Sequence, residues 1–344
     1  MADCSAEKVK AFVLKNFLIL GLLTVITFGL ICPAPGLMLG EVKVAGFSMS
    51  NLAILVIFVV SGMCLDSAQE ALQWKALFLG IVLVLFVTPL LAIPVLLLKK
   101  VNDSLNYELL QGMALFTVVP TTLSSGVTMI TSAKGNVSLA IFLTSVTNIL
   151  GVFTMPWSAS QVFSTSVDIA PTELLHELII LTLIPLIIGM GLRRGIPVIK
   201  NFATKQKKWL GIGQNCCILF VVLLMISKVR SRIFEASVAD LALCLTLAAG
   251  VHLTYRVLGY VAATAARLPP KEWVCIVLMS SQKSLPVCVS VLSALPEEIR
   301  QNSGLFILPC VMAHAAQLII DSILAVRWTV AETADSKAAP LLGK

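Results

Sequence analysis

A lysine sits in the middle of an apolar stretch, in the run Ser280-Ser281-Gln282-Lys283-Ser284-Leu285-Pro286. An ionisable group at mid-membrane depth costs at least about 2.5 kcal/mol on insertion scales, so it faces a cavity or a partner rather than lipid. A second interruption is Val118-Val119-Pro120-Thr121-Thr122-Leu123-Ser124-Ser125-Gly126-Val127. Proline removes a ladder donor and clashes with the carbonyl one turn back, while neighbouring hydroxyls take up the freed backbone groups. Both runs are expected to break a helix, with Pro120, Gly126 and Pro286 as the breaking residues. The chemistry of such a break is binding rather than catalysis. Half-helix amino termini present positive dipole ends and carbonyl ends negative ones, giving anion and cation subsites before any side chain is counted. Thr121, Thr122, Ser124, Ser125, Ser281, Gln282, Lys283 and Ser284 are therefore candidate substrate- or ion-binding residues.

Two flanking stretches supply partners at helical spacing: Thr144, Thr147 and Asn148, and farther on His314, Gln317 and Asp321. Residues three and four apart share a helix face. A threonine alone commonly bonds back to its own helix, so Thr144 and Thr147 carry less weight. Asn148 and the His-Gln-Asp stripe are expected to face a cavity, because amide and carboxylate groups turned to lipid would be unsatisfied. For His314 a structural bond between helices is the competing reading. His252, Arg256 and Glu177 fall near expected span ends and receive no site role. Asp66 and Glu70 fit an inner vestibule or a solvated loop equally well.

The elements that must position these residues follow from composition. The 344 residues are 58% hydrophobic and only 12% charged, with mean hydropathy +0.96. Soluble domains carry roughly a quarter charged residues, so this chain cannot cover a watery surface. Apolar runs long enough to cross about 30 Å of hydrocarbon recur along it, and the bilayer requires them to be helices. Spans are expected at 12–32, 47–65, 75–98, 108–133, 137–160, 173–192, 207–227, 238–262, 272–294 and 304–328, the fourth and ninth broken. The breaks thus occupy the fourth place in each set of five. Interrupted segments at matching positions in two halves point to an inverted-repeat carrier with its site where half-helix ends meet. The expected organisation is a first repeat over 1–165, a second over 166–328 and a short tail over 329–344.

With the amino terminus inside, inner segments hold 16 basic residues and outer loops 7, which places both termini in the cytoplasm by the positive-inside rule. The net charge of +7 then reads as topology and attraction to anionic lipid, with the bilayer as partner and no nucleic acid, since no basic stripe is interleaved with aromatics. Lys8, Lys10 and Lys15 precede a full-length apolar run, so a retained first helix is expected rather than a cleaved signal. Asn102-Asp103-Ser104 is a sequon in an expected outer loop. The nine cysteines form no C-x-x-C pair and read as small hydrophobes. Phosphate loop, nucleophile elbow and zinc-helix motifs are missing, so neither enzyme, metal site nor cofactor is expected.

Pro120 to Val127 with Gly135-Asn136, Ser280 to Pro286, Ser61 to Leu65 and Ala313-His314-Ala315-Ala316-Gln317 resemble the bile acid:sodium symporter superfamily, solute carrier family 10. Within it they are most similar to the sodium/bile acid cotransporter 7-like branch, which includes plastid sodium/metabolite cotransporters and fungal calcium-homeostasis regulators. The resemblance implies an all-α membrane fold of ten helices in two inverted five-helix repeats. Broken helices four and nine would cross in a core built from spans 3, 4, 5, 8, 9 and 10, beside a panel of spans 1, 2, 6 and 7. It also implies departures. A glutamate that helps hold sodium in coupled relatives aligns with Leu278, four residues before Gln282. Their fourth-helix Ser-Asn pair is Ser-Gly or Gly-Val here, and the fifth-helix Ser and Thr positions fall on Ala140 and Thr144. Lys283 is expected to stand in for a bound cation, which leaves proton coupling or none.

The resemblance implies a carrier of a small organic anion or metabolite, with Na+ or H+ as the possible coupling ion. Its alternative is a membrane regulator of calcium influx with a calcium-channel partner. The plasma membrane is the expected location, with the plastid inner envelope or a Golgi or endoplasmic-reticulum membrane as alternatives.

Overall fold

The computed structural model describes residues 13, 17–65, 73–122, 124–164, 170–296, 299 and 303–338. The described residues are helical almost throughout. Helix α1 (Phe17–Ile31) turns by 94° into α2 (Ala34–Glu41). A two-residue hairpin, Lys43–Val44 against Phe47–Ser48, leads to α3 (Met49–Cys64). Next come α4 (Trp74–Val82), a π turn (Leu83–Val87), a 3-10 turn (Thr88–Leu91) and α5 (Ala92–Val101), a single continuous rod. The first interrupted pair is α6 (Tyr107–Val118) and α7 (Ser124–Ser132), followed by α8 (Val137–Phe163). A second π turn (Ile179–Leu183) joins α9 (Pro171–Leu178) to α10 (Ile184–Gly195). The short α11 (Pro197–Lys205), then α12 (Lys207–Lys228), α13 (Arg230–Glu235) and α14 (Val238–Ala265) precede the second interrupted pair, α15 (Pro270–Met279) and α16 (Leu285–Ala294). The last helix, α17, runs from Ser303 to Ala338.

Among the described residues six helical rods are long and apolar enough to cross a bilayer, and the bent α1–α2 pair makes a seventh if counted as one span. Helices α3 and α16 are shorter apolar segments. The protein is an integral membrane protein. Large apolar side chains such as Leu23, Phe78, Phe86, Val257 and Ile323 are exposed on the outside of the bundle, the surface that lipid covers.

Helix starts follow the polar residues at their caps. Asn106 accepts from the backbone N–H groups of Glu108 and Leu109, Asn136 from Leu139 and Ser237 from Asp240. Helices α1, α3, α10 and α12 pack on one another, as do the rod α4–α5, the pairs α6–α7 and α15–α16, and α8, α14 and α17. Gly62 of α3 and Gly189 of α10 face each other. A Cβ on Gly62 would overlap the Leu186 carbonyl oxygen, and one on Gly189 that of Val59. Only glycine lets these two backbones approach so closely.

Two expectations need correction here. Gly126 does not sit in the break, because α7 begins at Ser124 and Gly126 lies in its first turn. A Cβ there would come within 2.8 Å of Met279 Sδ, so its small size serves packing between the two interrupted pairs. Pro286 begins a helix rather than ending one: it occupies the first turn of α16, where the missing N–H costs nothing. Beyond the expected end of the tenth span, the backbone stays helical from 329 to Ala338, through good helix formers such as Ala331, Glu332 and Ala334. Asp66, Glu70 and the Ser124 side chain lie outside the described residues.

Candidate functional site

The two breaks meet each other. Ser284 N–H donates to the Pro120 carbonyl at 2.9 Å, and Thr121 Oγ1 donates to the Met279 carbonyl at 2.9 Å. A break inside a membrane is tolerated only where every freed backbone group finds a partner. In the first break the carbonyls of Val119, Pro120 and Thr121 accept from Lys283 Nζ, Ser284 N–H and Asn148 Nδ2 respectively. In the second, Gln317 acts as a two-point clamp: its Oε1 accepts from the Lys283 N–H at 2.9 Å and its Nε2 donates to the Lys283 carbonyl at 2.8 Å. That amide also meets His314 Nδ1 at 2.8 Å, and the imidazole stands edge-on to Phe116.

Lys283 is fully buried. Its Nζ donates to Thr88 Oγ1 at 2.8 Å, the Val119 carbonyl at 2.9 Å and the Val84 carbonyl at 3.3 Å, and it lies 5.4 Å from the centre of the Tyr255 ring. The Val84 carbonyl is available because of the π turn. Thr88 N–H bonds back to Leu83 instead of Val84, and the next residue, Pro89, has no N–H to offer. Thr88 Oγ1 donates to that same carbonyl at 3.1 Å, so its own proton is committed. All three oxygens around Nζ therefore accept, which suits an ammonium with its three donors. Charge-assisted bonds contribute roughly 1.5–3 kcal/mol each, and three of them are of the size of the several kcal/mol that desolvating one ion costs. No carboxylate is within ion-pair distance of Lys283 among the described residues.

A second charged cluster lies behind the first. Asp321 on α17 is fully buried, and its Oδ1 is 3.0 Å from Arg256 Nη1 and 2.9 Å from His252 Nε2, both on α14. Its Oδ2 accepts from Gln282 Nε2 and lies 3.5 Å from Ser281 Oγ. Gln282 Oε1 in turn accepts from Ser125 Oγ at 3.2 Å. A polar chain thus runs from α7 through the second break to α17 and α14. His252 and Arg256, given no site role from sequence, belong to it. They lie on one face near the middle of the 28-residue α14, not at its end, and both are buried. The signal was present in Asp321, since a buried acid in a membrane span implies a basic partner. Thr88 was also missed, although Thr88-Pro89 inside an apolar span marks a local loss of helix bonding. Glu177 is exposed and lines a separate surface cleft.

The cavity next to the breaks occupies about 40 Å³. Thr122, Thr144, Asn148, Ser284 and Pro286 line one side, and Ser61, Leu186 and Gln214 the other. Asn148 Nδ2 is shared between the Thr121 and Thr144 carbonyls at 3.0 and 2.8 Å, leaving its Oδ1 as the remaining polar atom. Thr144 Oγ1 bonds back to the Ala140 carbonyl and Thr147 Oγ1 to the Thr144 carbonyl, as expected for threonines in a helix. Opposite, Gln214 Nε2 bridges the Ile57 carbonyl and Ser61 Oγ at 2.9 and 2.7 Å. Against expectation, the His314-Gln317-Asp321 stripe does not line this cavity. It turns into the second break, where the unsatisfied backbone of Lys283 draws Gln317 and the Gln282 amide draws Asp321. Lys283 also points away from the cavity, toward Thr88.

Residues 16–330 match the model of the SBF-like CPA transporter family (DUF4137). The chain belongs to that family. It is 33% identical to the probable sodium/metabolite cotransporter BASS4, chloroplastic, of Oryza sativa subsp. indica, over 92% of this chain and 76% of the relative. The protein of the same name from Arabidopsis thaliana is 30% identical over 94% and 74%. Sodium/bile acid cotransporter 7-A of Xenopus laevis is 25% identical over 90% of each. Family and relatives together place the chain in the bile acid:sodium symporter superfamily, among membrane transporters.

Proposed function

We propose that this protein is a secondary carrier of a small organic anion or metabolite that works by alternating access without a sodium ion at the crossover. The observation that carries the reading is the cavity where the two breaks meet, in which Ile57, Phe58, Leu65 and Ile218 surround a few polar groups, Thr122, Thr144, Asn148 and Ser284 on one wall and Ser61 and Gln214 on the other. The rod α4–α5, the pairs α6–α7 and α15–α16, and α8, α14 and α17 form the core, and α1, α3, α9–α10 and α12 form the panel. Counting α3 and each interrupted pair as spans gives ten, in two inverted repeats over 1–165 and 166–328, with both termini cytoplasmic. At about 40 Å³ the cavity holds little more than water, so a metabolite enters only when core and panel rock apart.

The amino-terminal ends of α7 and α16 reach this region, and an ammonium without a carboxylate lies behind them, which favours an anionic group on the solute. Lys283 provides the positive charge that a coupling cation supplies in relatives named for sodium. No observation favours the calcium-regulator reading, and the plasma membrane remains our assignment of location. The test is uptake of a panel of labelled carboxylates and bile acids into vesicles containing the purified protein. Accumulation of at least one compound, equal in sodium and choline media and lost in Thr144→Val/Asn148→Leu, supports the carrier reading; no accumulation of any compound contradicts it.

A further inference from the structure

The Asp321 cluster is built like a cation site with an organic cation already in it. The two carboxylate oxygens of Asp321 and the Ser281 hydroxyl lie together behind the second break, fully enclosed. Ser280 Oγ is buried without a hydrogen-bond partner among the described residues. It presses against Gly259, one turn beyond Arg256 on the same face of α14, where a Cβ would overlap it. Oxygen donors gathered at a helix break, with one full negative charge, are what a small hard monovalent cation requires. The Arg256 guanidinium is bonded to that carboxylate at 3.0 Å. His252 Nε2 lies 2.9 Å from the same carboxylate oxygen, and its Nδ1 has no hydrogen-bond partner among the described residues. The Arg256 guanidinium thus offsets the charge of the Asp321 carboxylate.

We propose that Arg256 is a built-in counter-cation: its guanidinium holds the place beside Asp321, Ser281 and Gln282 that a sodium ion would otherwise take. The inference deepens the carrier reading, since it gives this chain a second tethered positive charge, besides Lys283, where a coupled carrier binds an inorganic one. Arg256 is tied to Asp321 and through it to Gln282 and Ser125, so the charge stays with the core in every state of the cycle. The wild-type cluster is consequently indifferent to sodium, whereas a chain lacking the guanidinium has a buried carboxylate that only a small cation or a proton can neutralise.

The experiment compares the apparent unfolding midpoint of the purified full-length protein in sodium chloride and in choline chloride at equal ionic strength and neutral pH. Wild type is expected to show no difference. Arg256→Met is expected to unfold at lower temperature in choline and to regain about 5 °C or more in sodium, and Arg256→Met/Asp321→Asn to lose that sodium response. Arg256→Met that does not respond to sodium overturns the proposal, whether or not acid stabilises it. So does a sodium response in the wild type that Asp321→Asn abolishes. If Arg256→Met yields no folded protein in choline, its recovery during extraction in sodium replaces the midpoint; failure in sodium while the double variant folds also overturns it. None of these readouts requires transport, so the carrier reading stands or falls separately.

Discussion

The break between α6 and α7 and the break between α15 and α16 solve the same backbone problem with different chemistry. In the first, freed carbonyls at Val119, Pro120 and Thr121 are taken up from outside, by Lys283, Ser284 and Asn148. Its own side chains are neutral hydroxyls and a proline. The second break contributes the charged residue, and behind it stand Gln317 and the Asp321 cluster. The first break's Val119 and Pro120 carbonyls accept from the second, while Thr121 Oγ1 donates back to the Met279 carbonyl, so neither is satisfied without its partner. The charge at the crossover therefore belongs to the second half of the chain alone. On the proposed carrier reading, the second break is the one that holds the charge, and the first, with Asn148 beside it, supplies much of the polar wall of the cavity.

The largest effect is expected at the carboxylate. Asp321→Ala leaves Arg256 buried without its anion and should cost about 3–5 kcal/mol in unfolding measurements. Gln317→Leu removes the clamp on Lys283, leaving one buried N–H and one carbonyl unpaired, and should cost about 2–4 kcal/mol by the same measurement. At the first break, Asn148→Leu frees the Thr121 and Thr144 carbonyls and should cost about 1–3 kcal/mol, while abolishing uptake because the residue lines the cavity. Thr121→Val loses one neutral bond to the Met279 carbonyl and should cost about 1 kcal/mol. Equal costs for Asn148→Leu and Asp321→Ala would break the comparison; the descending order would sharpen it. Outside both breaks, Gly62→Ala should cost about 1–3 kcal/mol through overlap with the Leu186 carbonyl, without altering sodium dependence.

Much of this was legible in the sequence for a plain reason. A bilayer leaves the backbone no choice but helix, so apolar runs gave span positions close to those of Val137–Phe163, Lys207–Lys228 and Val238–Ala265. Pro120 and the hydroxyls after it, and Lys283 within its polar run, marked where the helices are interrupted. What was not legible is which way side chains turn. Spacing put His314, Gln317 and Asp321 on one face, but only packing decided that the face meets the second break rather than the cavity. Likewise, counting from an assumed span end hid Arg256 and His252, although a lone acid such as Asp321 requires a base somewhere. Pro89 marks a local loss of helix bonding after the π turn at Leu83–Val87, but that the freed Val84 carbonyl meets Lys283 depends on packing.

The most direct test of the central claim is uptake, into vesicles holding the purified protein, of the compound found in the solute panel, with an inward sodium gradient or with choline replacing sodium. The account predicts equal rates in the two media for wild type and loss of uptake in Asn148→Leu. Uptake that requires the sodium gradient in wild type, or that survives in Asn148→Leu, would contradict it.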